Sequence, residues 1–270
     1  MALSGWTTII VRGVVLATVG AYVALTIFGT FFTDSIIFQP PSPGYRDDVS
    51  VLKLTSADGA RISAIYFPNA NATYTLLFSH GNAEDIGYDT PFLEAVHDAG
   101  FAVFAYDYQG YGTSEGKPSE EHLYEDNRAA YHYLINDLHV PPGKIIAWGR
   151  SLGAAAAVNL AASQPVAGLI MESAFTSAFR VLTRFPLLPF DKFPNLAKIS
   201  NVHCPVLVIH GKRDGIISFY HGQTLFAAEP KISFWVDKAG HNDLAMVAGS
   251  RYFEALQAFA ELVDRSKTGG

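Results

Sequence analysis

The chain has 270 residues, 49% of them hydrophobic and 16% charged, with a net charge of −6, enough for one large domain with a substantial core. Lys and Arg form no long runs, so the charge pattern argues against a nucleic-acid partner. A single cysteine, Cys204, rules out an intrachain disulfide, and no His or Cys cluster has zinc-site spacing.

From residue 14 to residue 32 no side chain is charged. A helix of that length spans about 28 Å, close to the hydrocarbon thickness of a bilayer. Residues 1–36 therefore read as a single-pass membrane anchor, with Trp6 and the Phe31-Phe32 pair at its interfaces. A cleaved signal peptide and a buried or surface-lying helix are the alternatives. The run is long for the apolar part of a signal, and no small-x-small cleavage site follows it. Arg12 is one vote for a cytoplasmic N-terminus, which leaves the side of the membrane open. Gln39-Pro40-Pro41-Ser42-Pro43-Gly44 makes residues 37–48 a Pro-rich linker.

Two strands, 49–56 and 61–68, flank Ala57-Asp58-Gly59, the turn signal of a hairpin. Apolar strand-like runs follow at 74–79, 101–107, 144–149, 167–172, 206–210 and 233–237. Several are continuous Val, Ile, Leu or Phe, the pattern of strands covered on both faces. Helical patterns lie between them at 88–99, 120–137, 152–163, 219–228 and 244–263. This alternation predicts a mostly parallel sheet of about eight strands over residues 49–265, flanked by helices, with the hairpin as an antiparallel edge.

Gly149-Arg150-Ser151-Leu152-Gly153 has the G-x-S-x-G pattern, with an apolar strand leading in and an Ala-rich helix leading out. That is the context of the nucleophile elbow in the α/β-hydrolase fold, and Ser151 is the candidate nucleophile. A serine hydroxyl needs a base to take its proton. His241, in Ala239-Gly240-His241-Asn242-Asp243, follows the last strand and stands in the order this fold requires, nucleophile then acid then histidine. His97, His122, His132 and His139 fall in or beside amphipathic helices and read as surface residues. Asp214, in His210-Gly211-Lys212-Arg213-Asp214, is the expected acid that orients the imidazole. Glu172, at the end of the preceding strand, is its rival.

Ser79-His80-Gly81-Asn82-Ala83 ends the third strand, where one half of an oxyanion hole is expected from the amide of Asn82 or Ala83. The amide of Leu152 is the other half. His80 reads as a hydrogen-bonded scaffold residue. The run Asp107 to Ser114 is glycine-rich without phosphate-loop spacing, and reads as a pocket wall packed under the nucleophile turn. Residues 174–204 are too long for a simple crossover. They carry Phe175, Phe179, Phe185, Leu187, Leu188, Phe190 and Phe193 among prolines, the composition of a short apolar lid over the nucleophile.

Tyr74-Thr75-Leu76-Leu77-Phe78-Ser79-His80-Gly81-Asn82-Ala83, Asp107-Tyr108-Gln109-Gly110-Tyr111-Gly112, Ser114-Glu115-Gly116-Lys117-Pro118 and Trp235-Val236-Asp237-Lys238-Ala239-Gly240-His241-Asn242-Asp243 resemble the α/β-hydrolase-domain 17 group. Those serine hydrolases are known as protein depalmitoylases. The likeness runs from about residue 64 to residue 259 and implies the same triad, Ser151, Asp214 and His241. Two departures stand out. A hydrophobic span replaces the group's cysteine-rich, lipid-modified N-terminus, and Arg150 stands where the group has Gln, putting a positive charge near the pocket mouth. The expectation is a serine hydrolase of acyl esters or thioesters, on acylated protein or lipid at a membrane, in the manner of a depalmitoylase. Phe175, Phe179 and Leu187 are expected to meet the acyl chain, and no metal or organic cofactor is implied. A general carboxylesterase or lipase, a serine peptidase and a non-catalytic binding protein are the alternatives.

Overall fold

The structure is a computed structural model that describes residues 5–183, 185–228 and 232–268. The first four residues of the expected anchor and residue 184 of the expected lid lie outside the described residues. Helix α1 (Gly5–Phe31) is followed by the short α2 (Thr33–Ile37). From Trp6 to Phe31, α1 is long and apolar enough to cross a bilayer, and almost none of it is covered by protein.

Eight strands make one sheet: β1 (Leu52–Thr55), β2 (Arg61–Phe67), β3 (Thr75–Ser79), β4 (Ala102–Tyr106), β5 (Ile145–Arg150), β6 (Gly168–Glu172), β7 (Val206–Gly211) and β8 (Ile232–Val236). Their order is β1-β2-β4-β3-β5-β6-β7-β8. β2 pairs antiparallel with β1 and β4, and the remaining pairings are parallel. The apolar runs are continuous because alternate residues serve two separate cores. Leu77 and Ala147 face one, while Leu76, Phe78, Ile146 and Trp148 face the other.

Helices α3 (Ile86–Asp98), α4 (Glu120–Asn136), α5 (Gly153–Ser163), α6 (Ala178–Leu182), α7 (Asn195–Lys198), α8 (Phe219–Ala228), α9 (Leu244–Ala248) and α10 (Ser250–Thr268) complete the chain. Asp85 caps α3 by accepting from the Tyr88 amide at 2.9 Å, and Ser119 caps α4 by accepting from the His122 amide at 3.1 Å. Each cap satisfies an N-terminal amide that the helix itself cannot. The alanine run Ala154 to Ala157 in α5 is fully buried; small side chains let this helix lie close on the sheet.

Two expectations need correction. The single helix expected over 244–263 is two, α9 and α10, broken at Gly249, whose φ of +59° no helix continues through. The Pro-rich stretch is not a free linker. Phe38 is only 4% exposed, the Gly44 amide donates to Asp85 at 2.6 Å and the Tyr45 hydroxyl donates to Asp107 at 2.5 Å.

Candidate active site

Five loops converge at the carboxyl ends of the parallel strands, the edge where α/β sheets place their ligands. β5 ends one residue before Ser151, which adopts φ +51°. A left-handed serine is strained, at a cost of order 1–3 kcal/mol. The surroundings hold it: the Ser151 amide donates to the Glu172 carbonyl at 2.8 Å. Neighbouring glycines make the turn possible, because a Cβ at Gly149 would strike the Gly153 carbonyl and one at Gly153 would strike the Ser79 carbonyl.

The loop after β8 brings His241 over the elbow. Its Nε2 lies 2.9 Å from Ser151 Oγ and its Nδ1 lies 2.7 Å from Asp214 Oδ2. The Asp214 side chain is wholly buried. Its other oxygen accepts from the amides of Ile216 at 2.9 Å and Ile217 at 2.7 Å. His210, which sequence reasoning passed over, places Nε2 3.4 Å from Asp214 and 2.9 Å from the Ile217 carbonyl. Burial opposes the charge on Asp214. The hydrogen bonds from His210, His241 and the Ile217 amide outweigh it and hold the carboxyl well below the usual carboxylate range. The signal for His210 is a repeat: β3 and β7 both run out into His-Gly, at His80-Gly81 and His210-Gly211.

The rival acid, Glu172, is occupied elsewhere. It accepts from the Trp148 indole at 3.1 Å, the Tyr252 hydroxyl at 2.6 Å and Arg150 Nε at 3.2 Å. Arg150 is therefore not at a pocket mouth. Its guanidinium is inside, 3.0 Å from Asp89 and 3.6 Å from Glu84, and packs over the Phe92 and Phe78 rings. Burial and the nearby Glu84 push Asp89 up to about 6, although Arg150 pulls it down. A guanidinium can satisfy several carboxylates at once from one planar fork, which suits it to this enclosed junction. Glu84 passes the connection on by accepting from the Gly81 amide at 2.7 Å.

In the 80–83 loop, Ala83 has φ +58° and its amide is engaged by Asn82 Oδ1 at 3.1 Å. Of the two amides expected to serve the oxyanion hole from this loop, that of Ala83 is thus already engaged within the loop. His80 is buried, with Nδ1 2.7 Å from the Gly81 carbonyl and Nε2 3.3 Å from Asp107. The loop after β4 braces this loop: the Tyr108 hydroxyl donates to the His80 carbonyl and the Tyr111 hydroxyl to Asn82 Oδ1.

Of the expected acyl-contact residues, Phe179 and Leu187 line an apolar cavity of about 250 Å³ whose other wall is Leu25, Phe28, Ile36 and Ile37 from the first two helices. Phe175 is buried in the core against Phe193 and does not line it. The segment expected to be a lid is tied down by Asp191, which binds Ser177, the Phe179 amide and Arg180. Lys192 joins it to Asp34 at 3.0 Å. Among the described residues no cluster of three His, Cys, Asp or Glu is placed to hold a metal ion.

The family model for serine aminopeptidase S33 matches residues 70–190. The human alpha/beta hydrolase domain-containing protein 17B is 40% identical over 229 residues, covering 81% of this chain and 78% of that protein. The aho-3 alpha/beta hydrolase domain-containing protein of Caenorhabditis elegans is 42% identical over 203 residues, covering 72% and 60%. Among solved structures, an esterase from Pyrococcus furiosus superposes with a TM-score of 0.70 at 20% identity, over 83% of this chain and 98% of the esterase. That likeness carries the fold. The identity to the human protein, sustained over most of both sequences, carries the family: this chain is an α/β hydrolase and belongs to the alpha/beta hydrolase domain-containing protein 17 family.

Proposed function

We propose that the protein is a membrane-anchored serine hydrolase that cleaves long-chain acyl esters or thioesters, with protein depalmitoylation as its closest chemical model. The observation that carries this reading is the unbroken chain from Ser151 through His241 to Asp214, at 2.9 and 2.7 Å. Ser151 Oγ attacks the acyl carbonyl while His241 Nε2 takes its proton, and Asp214 stabilises the resulting imidazolium. The amides of Asn82 and Leu152 receive the oxyanion, worth several kcal/mol of transition-state stabilisation. Collapse expels the alcohol or thiol with the proton from His241. Water, deprotonated by the same imidazole, then attacks the acyl-enzyme and releases the carboxylic acid and free Ser151.

The apolar cavity supports a long acyl chain. Phe179 and Leu187 share this apolar cavity with Leu25 and Phe28 of α1, a lining suited to an acyl chain that enters alongside the membrane helix. The membrane span itself rests on the length and exposure of α1. A serine aminopeptidase is the second reading, favoured by the name of the matching family model. It would need a carboxylate for the substrate's ammonium. Glu84, Asp89 and Glu172 are already engaged by Arg150.

The test is hydrolysis of p-nitrophenyl esters and acyl thioesters from acetyl to palmitoyl, with an aminoacyl anilide alongside and Ser151→Ala as control. Turnover that rises with chain length and disappears in the variant is the expected result. Activity confined to acetyl and butyryl esters would replace it with a general carboxylesterase, and activity on the anilide alone with the peptidase.

A further inference from the structure

The segment between α2 and the first strand runs along the 80–86 loop and is fastened to it at both ends. At one end the Asn82 side chain is the clasp. Its Nδ2 donates to the Ile37 carbonyl at 2.5 Å, and its Oδ1 accepts from the Gln39 amide at 3.0 Å. Tyr111 closes the ring: its hydroxyl donates to Asn82 Oδ1 at 2.6 Å and accepts from the Gln39 amide at 3.1 Å. Between these bonds Phe38 turns inward, its ring packed edge-on against Tyr111 and the lid residue Phe193. At the other end Gly44 donates to Asp85, the cap of α3. Tyr45 and the Gly44 backbone sit so close to Gly87 that a Cβ there would collide with both.

Such a strap has a mechanical consequence. Ala83 holds a left-handed conformation that an alanine does not favour. The 80–83 loop must also keep its amide aimed at the position of a developing charge, where small misplacements are costly. The loop is braced from below by Tyr108 and Glu84. On its remaining side the brace is the chain's own juxtamembrane segment.

We propose that residues 37–45 are a positioning element for the oxyanion loop, with Phe38, Tyr111 and the Asn82 side chain as positioning residues, so that seating of the membrane anchor and competence of the site are linked. This rests on the hydrolase reading above, and adds that the anchor's root takes part in building the site.

The experiment uses the full-length protein in phospholipid vesicles, with Phe38→Ala, Tyr111→Phe and Asn82→Ala, the last keeping its backbone amide. Hydrogen exchange is followed on peptides covering residues 80–86, and kcat and KM are measured with p-nitrophenyl butyrate, too short to depend on the lid cavity. The expected result is faster exchange in that loop and a kcat lower by about 10-fold or more, with KM within about 2-fold, as for loss of an interaction made in the transition state. Phe38→Leu, which refills the site, should restore most of the kcat. Unchanged exchange in Phe38→Ala and Tyr111→Phe would overturn the proposal, as would faster exchange with wild-type kcat. A wild type that turns over no ester would sink the hydrolase reading, and the exchange data would still judge the strap.

Discussion

At the scale of single residues, the site separates two carboxylates that the sequence presents as competitors. Asp214 and Glu172 both end up buried at the same sheet edge. Asp214 faces His241 and is held ionised by donors on every side. Glu172 faces Arg150, Trp148 and Tyr252. Asp214→Asn should preserve the fold but leave Nδ1 of His241 without an anionic acceptor. It is expected to lower kcat by about 10⁴-fold, measured on the best ester substrate at neutral pH with circular dichroism as the check on folding. A loss under about tenfold would remove Asp214 from the triad. Because its pKa is depressed, Asp214 contributes stability that is lost only as pH falls below the ordinary carboxylate range.

At the scale of elements, Asp126 shows the opposite sign. It lies on α4, accepts from Ser56 of the hairpin at 2.6 Å and from the Gln109 amide at 2.8 Å, and thereby ties the sheet edge to the loop after β4. Burial pushes it up to about 6, against the pull of these hydrogen bonds. A folded-state pKa above the unfolded value means the folded protein holds the proton more tightly. The stabilisation is complete below about pH 4 and fades as pH rises through about 6, a change on the order of 2 kcal/mol. Urea unfolding at pH 4 and pH 7 should therefore show a pH dependence that Asp126→Asn flattens by about that amount. Parallel slopes for the two proteins would refute the assignment. The same scale explains Arg150. It stands two residues after Trp148 on β5, on the same face, and so enters the junction of β5, β6 and α3, where three acids await it. Reading along the sequence puts it next to the nucleophile and suggests a pocket charge; its side chain in fact runs the other way.

For the whole molecule, the notable feature is that α1, residues 174–204 and the candidate site are joined to one another. Gly29 of α1 packs so tightly that a Cβ would strike Leu188 of the lid. Lys192 pairs with Asp34, and Ile37 lines the apolar cavity while its carbonyl receives Asn82. Leu187 is 47% exposed at the cavity rim. Leu187→Asp should leave butyryl ester hydrolysis within about twofold. Palmitoyl ester hydrolysis should fall by about tenfold or more, since burying a charge beside an acyl chain is strongly unfavourable. An unchanged ratio of the two rates would place the acyl chain elsewhere.

Ser151, His241, Asp214 and the apolar span of α1 were legible in the sequence because each depends on local pattern: a glycine-flanked serine between strand and helix, polar loops at strand ends, and an uncharged run of membrane length. The edge hairpin was legible from its turn signal, and the central strands β3 to β7 for a related reason. A strand covered on both faces must be apolar at every position, whatever surrounds it. Tertiary structure alone decided which partners the polar side chains meet. Asn82 finds Gln39 across 43 residues, and Arg150 finds Asp89 across 61. No periodicity encodes such pairs, because they form only when separate loops are brought to one edge of the sheet. The Pro-rich segment shows the limit most plainly: its composition describes a chain that cannot build regular structure, and only the fold turns that chain into a strap across the oxyanion loop.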